Sequence, residues 1–168
     1  TFDCEFGFSC MGYEIAGALG VKMAAPDREV FSLVGDGSYL MMCAELVTAV
    51  SEGIKLVVVL VDNRGFSSIG SLSEILGSQR FGTRYRMRSA ETGMLDGGEL
   101  PVDLAANAES LGADVLRARS VDELRAALRK AREAERTTVV YVETDPLAPV
   151  PSSAPAPPAA FSPIVCRP

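Results

Sequence analysis

The chain has 168 residues, enough for one α/β domain and short for two. Apolar residues make up 48% and the net charge is −6, so the chain can bury a real core but presents the wrong sign for nucleic acid or an anionic membrane surface. There is no histidine, which rules out a Ser-His-Asp or Cys-His mechanism built from this chain alone, and the four cysteines form no CxxC pair, which argues against a zinc site. The opening segment "TFDCEFGFSC" is acidic, lacks the basic start of a signal peptide and has no initiator methionine; it reads as a processed product or a fragment. No apolar stretch reaches the roughly 18–20 residues of a membrane span. So few cysteines make a reduced, cytoplasmic setting the default.

In chain order, residues 9–25, "SCMGYEIAGALGVKMAA", place Ile15, Leu19 and Met23 at helical spacing and predict a buried helix. "PDR" at 26–28 is a turn, and "EVFSLV" at 29–34 a short buried strand. Residues 38–52 put Leu40, Met41, Ala44, Leu46, Val47 and Val50 on one broad face, which predicts a single helix capped by Ser38 with Cys43 in the core. "KLVVVLVD" at 55–62 suits a central parallel strand covered on both faces. Residues 63–100 carry many glycines and little periodicity, and loops of that length in compact domains are usually functional or mobile. A helix at 102–112, the strand "ADVLRA", an amphipathic helix at 120–135 with Ser120 and Glu123 as a capping box, and the strand "TTVVYVET" at 137–144 follow.

Beyond Asp145 the composition changes: eight of the ten prolines lie in 146–168, mixed with alanine and serine, which favours extended, disordered chain. The folded domain is therefore placed at 1–147 and a Pro/Ala-rich tail at 148–168. The alternation of elements is that of an α/β fold, a mostly parallel sheet with helices on both faces.

In such sheets ligands bind beyond the carboxyl ends of the strands. Gly35-Asp36-Gly37 stands there, directly before a helix start, where glycine N–H groups approach phosphate closely and the first turn favours an anion. Asp36 would repel that phosphate unless a divalent cation lies between them, and Mg²⁺ commonly bridges a carboxylate to phosphates. "VVVLVDNRGFSS" supplies further ligands: Asn63, 27 residues after Asp36, offers a neutral amide oxygen, and Gly65 lets a main-chain carbonyl turn toward the ion. Asp62 reads as a partner for backbone N–H groups at the turn rather than for the ion. Each motif alone is equally a plain strand-end turn; the two together predict a site for Mg²⁺ and a diphosphate. A dinucleotide site is disfavoured, since "GYEIAGALG" follows no strand and lacks GxGxxG.

The pair "GDGSYLMM…VDNRG" resembles the signature of the diphosphate-binding (PP) domain of thiamine-diphosphate enzymes, and the likeness runs over residues 6–145. The resemblance implies that Asp36, Asn63 and the carbonyl of Gly65 hold Mg²⁺. It places Gly35, Gly37 and Ser38 near the diphosphate and Phe66 beside the thiazolium ring. Met11 matches the bulky residue that props the cofactor into its bent shape, or else is plain core packing. The carbonyl of Ser9 matches the acceptor for the aminopyrimidine, with Cys10 between the two. Ser67 and Ser68 stand either as contacts to a polyol hydroxyl or as turn stabilisers. Arg80, Arg84, Arg86 and Arg88 stand as an active-site flap, a solvated strip or an edge strand.

Within the family, "MGYEIAGALGVKMA", "GDGSYLMM", "EGIKL", "SIGSLSE" and "FGTRYR" are most similar to hydrolases that open a cyclic polyol-dione in inositol breakdown. That likeness implies a small polyol-ketone substrate and C–C cleavage followed by hydrolysis, through the carbanion chemistry of thiamine diphosphate. The glutamate that activates the cofactor in this family sits on a pyrimidine-binding domain. The implied partner is therefore that domain, from a second chain or from the full-length protein, in a homodimer or homotetramer. The segment alone is expected to be inactive. Two rival readings stand beside this one. One is the small subunit of a two-subunit 2-oxoacid decarboxylase or carboligase. The other is a module that binds Mg²⁺ and a phosphorylated ligand without chemistry.

Overall fold

The structure, a computed structural model, describes residues 4, 7, 8, 10–78, 80–146 and the backbone of 2, 3 and 164–167. Its strands are β1 (Phe2–Asp3), β2 (Glu29–Gly35), β3 (Val57–Asp62), β4 (Asp114–Ala118), β5 (Thr138–Glu143) and β6 (Ile164–Arg167). Its helices are α1 (Tyr13–Ala24), α2 (Asp36–Met42), α3 (Glu45–Ser51), α4 (Ser67–Ile75), α5 (Leu104–Ser110) and α6 (Val121–Glu133). The sheet order is β1-β6-β2-β3-β5-β4. Strands β2, β3, β5 and β4 run parallel, as an α/β domain requires, while β6 lies antiparallel to β2 and β1 antiparallel to β6.

Side chains alternate across a strand, so each strand feeds two cores. On one face Val30 and Val34 of β2, Val58 and Leu60 of β3 and Val139 and Tyr141 of β5 pack with Ile15, Ala18 and Leu19 of α1, Tyr39 of α2, Leu46 and Ala49 of α3, and Leu104, Ala105 and Ala108 of α5. On the other, Val57 and Val140 meet Ala127 and Ala131 of α6, with Phe31, Leu116 and Leu128 beside them. The unbroken valine run of β3 follows from this: a central parallel strand is buried on both sides. Helix α6 starts as its sequence predicts, with Ser120 Oγ accepting from the Glu123 N–H at 3.2 Å; the returning Glu123 carboxylate takes the Arg119 N–H at 2.7 Å.

Several expectations are corrected. The helix expected over 38–52 is two helices, broken at Cys43-Ala44, where Leu46 and Val47 donate to the carbonyls of Cys43 and Ala44 in i→i−3 bonds. The first of them begins at Asp36, inside the GDG motif, so Ser38 is a buried residue of its first turn rather than its cap. Only Leu46 of the expected face is fully buried; Leu40, Met41, Val47 and Val50 are exposed, as is Met23 on α1. Residues 67–75, expected as loop, form α4, whose four serines and one glycine in nine residues hide its helical period. The tail was expected to be without structure, yet Ile164–Arg167 pairs with β2, Ile164 opposite Ser32. The remainder of the tail, 148–163 and 168, lies outside the described residues, as does residue 147.

This core makes a contrast that denaturation can read. Leu60→Ala removes a side chain with no solvent exposure and should cost about 2–5 kcal/mol, whereas Met41→Ala, at 51% exposure, should cost under about 1 kcal/mol in a urea titration. Equal costs would contradict the placement of α2.

Candidate functional site

The parallel register pairs Gly35 with Val61, which brings the next residues, Asp36 and Asp62, together at the carboxyl ends of neighbouring strands. Both carboxylates are buried, at 1% and 2% exposure. Asp36 accepts two backbone bonds: its Oδ1 from the Gly37 N–H at 2.9 Å and its Oδ2 from the Gly65 N–H at 2.8 Å. The second bond ties the GDG turn to the DNRG turn across 29 positions of sequence. Asp62 is dressed differently. Its Oδ1 accepts from the Arg64 N–H at 2.8 Å and its Oδ2 from the Tyr141 hydroxyl at 2.6 Å, with the Arg64 Nε 3.9 Å away. The turn role read for Asp62 from the sequence matches these bonds.

Burial pushes the Asp36 carboxyl up to about 6; the Gly65 N–H opposes this and the nearby Asp62 carboxylate adds to it. Two buried carboxylates at one strand end are a poor arrangement for each other and a good one for a cation. Among the described residues no group of three or more His, Cys, Asp or Glu is arranged to hold a metal ion. A cation here would therefore take Asp36 together with neutral amide and carbonyl oxygens, and complete its shell from water and a phosphate-bearing ligand, which is how Mg²⁺ is usually held. The residues present fit such an ion.

The DNRG turn is unusual in its backbone. Arg64 sits in the left-handed region at φ 62° and Gly65 follows at φ 155°. A Cβ on Gly65 would lie 2.3 Å from the Thr83 carbonyl oxygen, because residues 83–85 run alongside the turn: Gly65 bridges to Arg84, and the Phe66 N–H donates to the Thr83 carbonyl at 2.8 Å. Packing also confines position 37 to glycine. Its N–H is taken by Asp36, and a Cβ there would lie 2.6 Å from the Phe66 ring and 3.4 Å from the Met11 methyl. Met11, Gly37 and Phe66 thus meet at one place.

Asn63 is half-buried at the same strand end, and its Oδ1 accepts from the Ser67 hydroxyl at 2.9 Å, which gives Ser67 the turn-stabilising role. Ser38 is buried beside Gly37, Gly35 ends β2, and Cys10 is exposed; Ser9 lies outside the described residues. Two of the arginines are staples of the long loop: Arg86 donates to the carbonyls of Gly97 and Asp96, and Arg88 to that of Gly93. Arg80 pairs with Glu74 at 2.7 Å. The sequence reading missed Tyr141 and Tyr85. The Tyr141 hydroxyl reaches Asp62, and Tyr85 lies edge-on to Phe66 with ring centroids 6.1 Å apart. Tyr141 reads as one more β-strand residue, and Tyr85 lies in "FGTRYR", a likeness that gave it no role.

The family "Thiamine pyrophosphate enzyme, C-terminal TPP binding domain" matches residues 1–142. The chain is 43% identical over 146 residues to the 3D-(3,5/4)-trihydroxycyclohexane-1,2-dione hydrolase of Clostridium tetani (strain Massachusetts / E88), covering 87% of this chain and 23% of that protein. It is 44% identical, with the same coverage, to the protein of the same name from Geobacillus thermodenitrificans (strain NG80-2). Among solved structures it is similar to the thiamine diphosphate-dependent 4-hydroxybenzoylformate decarboxylase of Rhodococcus jostii RHA1. There the TM-score is 0.64 at 25% identity, over 80% of this chain and 23% of that one. The chain thus spans 23% of the length of the curated relatives it matches.

The raised Asp36 pKa has a signed consequence for the protein without added metal. The folded chain binds this proton more tightly than the unfolded chain, whose value is near 3.8, so the stability it contributes is full below about pH 4 and is lost as pH rises through about 6. Asp36→Asn should therefore raise the denaturation midpoint relative to the parent more at pH 7 than at pH 4. A difference independent of pH would contradict the buried, charge-crowded placement of Asp36.

Proposed function

This chain belongs to the thiamine pyrophosphate enzymes, as their C-terminal TPP binding domain, and on that footing we propose that Asp36, Asn63 and the Gly65 carbonyl hold Mg²⁺ against the diphosphate of thiamine diphosphate. The observation that carries the reading is the junction of the two turns: the buried Asp36 carboxylate, its pKa raised by burial, joined to the DNRG turn through the Gly65 N–H. Gly35, Gly37 and Ser38 lie on the diphosphate side of that junction in this reading. Phe66 stands beside the thiazolium ring, and Met11 props the cofactor's bend; the meeting of Met11 and Phe66 over Gly37 supports both roles. Ser9 and Cys10 complete the cofactor-binding set on the strength of the resemblance. The folded domain is taken to end near residue 147.

When bound, thiamine diphosphate supplies a nucleophilic carbon that adds to a carbonyl and then accepts the electrons of the broken C–C bond. The contribution of this chain is to bind and orient. Asp36 neutralises part of the cation's charge, and the rigid Arg64-Gly65 backbone fixes where the carbonyl ligand points. The packed Met11–Gly37–Phe66 floor limits the shapes a ligand can take above it.

For the longer protein we propose hydrolytic opening of trihydroxycyclohexane-1,2-dione to 5-deoxyglucuronate, with a small polyol-ketone as substrate in inositol catabolism. This is supported by the 43–44% identity to hydrolases of that name. The partner is a pyrimidine-binding domain, of a second chain or of the full-length protein, in a cytoplasmic homodimer or homotetramer. The exposed large apolar residues Leu40, Met41, Met42 and Val47 of α2 and α3, and Ile69, Leu72 and Ile75 of α4 with the adjoining Leu76, support a covering partner domain. The domain alone, without the activating glutamate, is inactive in this reading.

In the full-length protein, calorimetric titration of thiamine diphosphate should show binding that needs Mg²⁺ and is abolished by EDTA, and tighter binding than pyrophosphate gives. Asp36→Ala should eliminate the Mg²⁺-dependent part; unchanged affinity in that variant would sink the metal assignment. Met11→Ala should leave cofactor affinity within severalfold of the parent and lower kcat by an order of magnitude or more, on the scale of positional effects. Normal turnover would return Met11 to plain packing.

A further inference from the structure

We propose that Tyr85 is a positioning residue of the cation site: with a cation on Asp36, the Tyr85 hydroxyl donates a hydrogen bond to the Asp36 carboxylate and fixes which of its lone pairs faces the metal. The inference rests on the reading of Asp36 as a metal ligand and adds a group to which the sequence likeness gave no role. Among the described residues, the Tyr85 hydroxyl is the buried side-chain polar atom that has no hydrogen-bond partner. Leaving a buried donor unpaired is unfavourable, so such an atom calls for a use.

The hydroxyl cannot easily turn elsewhere. The Tyr85 N–H donates to the Arg64 carbonyl at 3.3 Å, and its own carbonyl accepts from the Leu100 N–H at 2.9 Å. Its ring stands at 84° to that of Phe66. The preceding residue, Arg84, bridges to Gly65, the residue whose N–H holds Asp36 Oδ2. This backbone frame brings the phenol to the two carboxylates. There it faces the charges of Asp36 and Asp62, and an ordinary tyrosine hydroxyl is an O–H donor across the working pH range.

The neighbouring carboxylate already has such a partner. Asp62 accepts from the Tyr141 hydroxyl at 2.6 Å, whereas the bonds that hold Asp36 come from two backbone N–H groups, one on each oxygen. Each carboxylate oxygen has two lone pairs, so Asp36 retains capacity for a cation and for one more donor. Carboxylates that ligate metals are themselves usually hydrogen-bonded, and removing such an outer partner typically weakens metal affinity by about 10–100-fold.

The test is Tyr85→Phe in the full-length protein, with Mg²⁺ titrated calorimetrically at fixed thiamine diphosphate. The expected result is Mg²⁺ affinity about tenfold weaker, with a thermal midpoint in EDTA equal to or above that of the parent, because the unpaired hydroxyl is gone. Tyr39→Phe makes the same chemical change at a hydroxyl that bonds Asn107 at 2.8 Å, and should leave Mg²⁺ affinity unchanged. Parental Mg²⁺ affinity in Tyr85→Phe, or an equal loss in both variants, would overturn the proposal while leaving the metal site standing. Absence of Mg²⁺-dependent binding in the parent would bring down the Asp36 assignment and this proposal together.

Discussion

The 2.8 Å hydrogen bond from the Gly65 N–H to Asp36 Oδ2 is the contact on which the site depends. It joins the loop after β2 to the loop after β3, and it compensates part of the burial that Asp36 suffers. Nothing local to either loop would produce it. It exists because β2 and β3 are parallel and in the register that pairs Gly35 with Val61. That register is held by the valine-rich interior of β3, with Val58 and Leu60 facing one core and Val57 the other. A slip of one residue would reverse every face of the strand and part the two carboxylates. The hydrophobic core thus acts on the site through geometry: it sets where two charges lie.

The same end of the sheet concentrates its special backbone. A left-handed Arg64, an extended positive-φ Gly65 and a ring packed onto Gly37 are conformations that most sequences avoid. They are over-determined here by residues 83–85, which run beside the turn and accept the Phe66 N–H. The long segment after α4 is therefore part of the site's wall, and its arginines serve largely to brace it: Arg86 and Arg88 reach loop carbonyls. Helices α2, α3 and α4 each leave large apolar side chains exposed, among them Met41, Val47 and Leu72. The chain spans only 23% of the curated relatives it matches.

Much of the fold was legible. The β-branched run of 57–62, the capping box at Ser120 and the amphipathic period of 120–135 carry their structure in local pattern, and each element appears where that pattern places it. The misses have physical reasons. Helix α4 is written in serines and a glycine, which carry little helical signal, and forms against its surroundings. The break at Cys43-Ala44 is invisible in a stretch that is apolar on both sides. Exposure of Leu40, Met41 and Val47 could not be read from a hydrophobic face alone, because that face reports burial against a partner as readily as against the domain's own core. The short strand Ile164–Arg167 followed a proline-rich stretch whose composition pointed to disorder.

By itself the sequence determined the class of fold and the two turns that matter, since GDG and DNRG are local combinations of a carboxylate, an amide and glycines at strand ends. Only the tertiary structure decided how those turns meet, that Gly37 is needed to clear Phe66, and that Tyr141 and Tyr85 stand beside the carboxylates. The reason is range. Turn chemistry and periodicity act over a few residues, whereas the bond from Gly65 to Asp36 spans 29 positions, through a sheet register that no short stretch encodes.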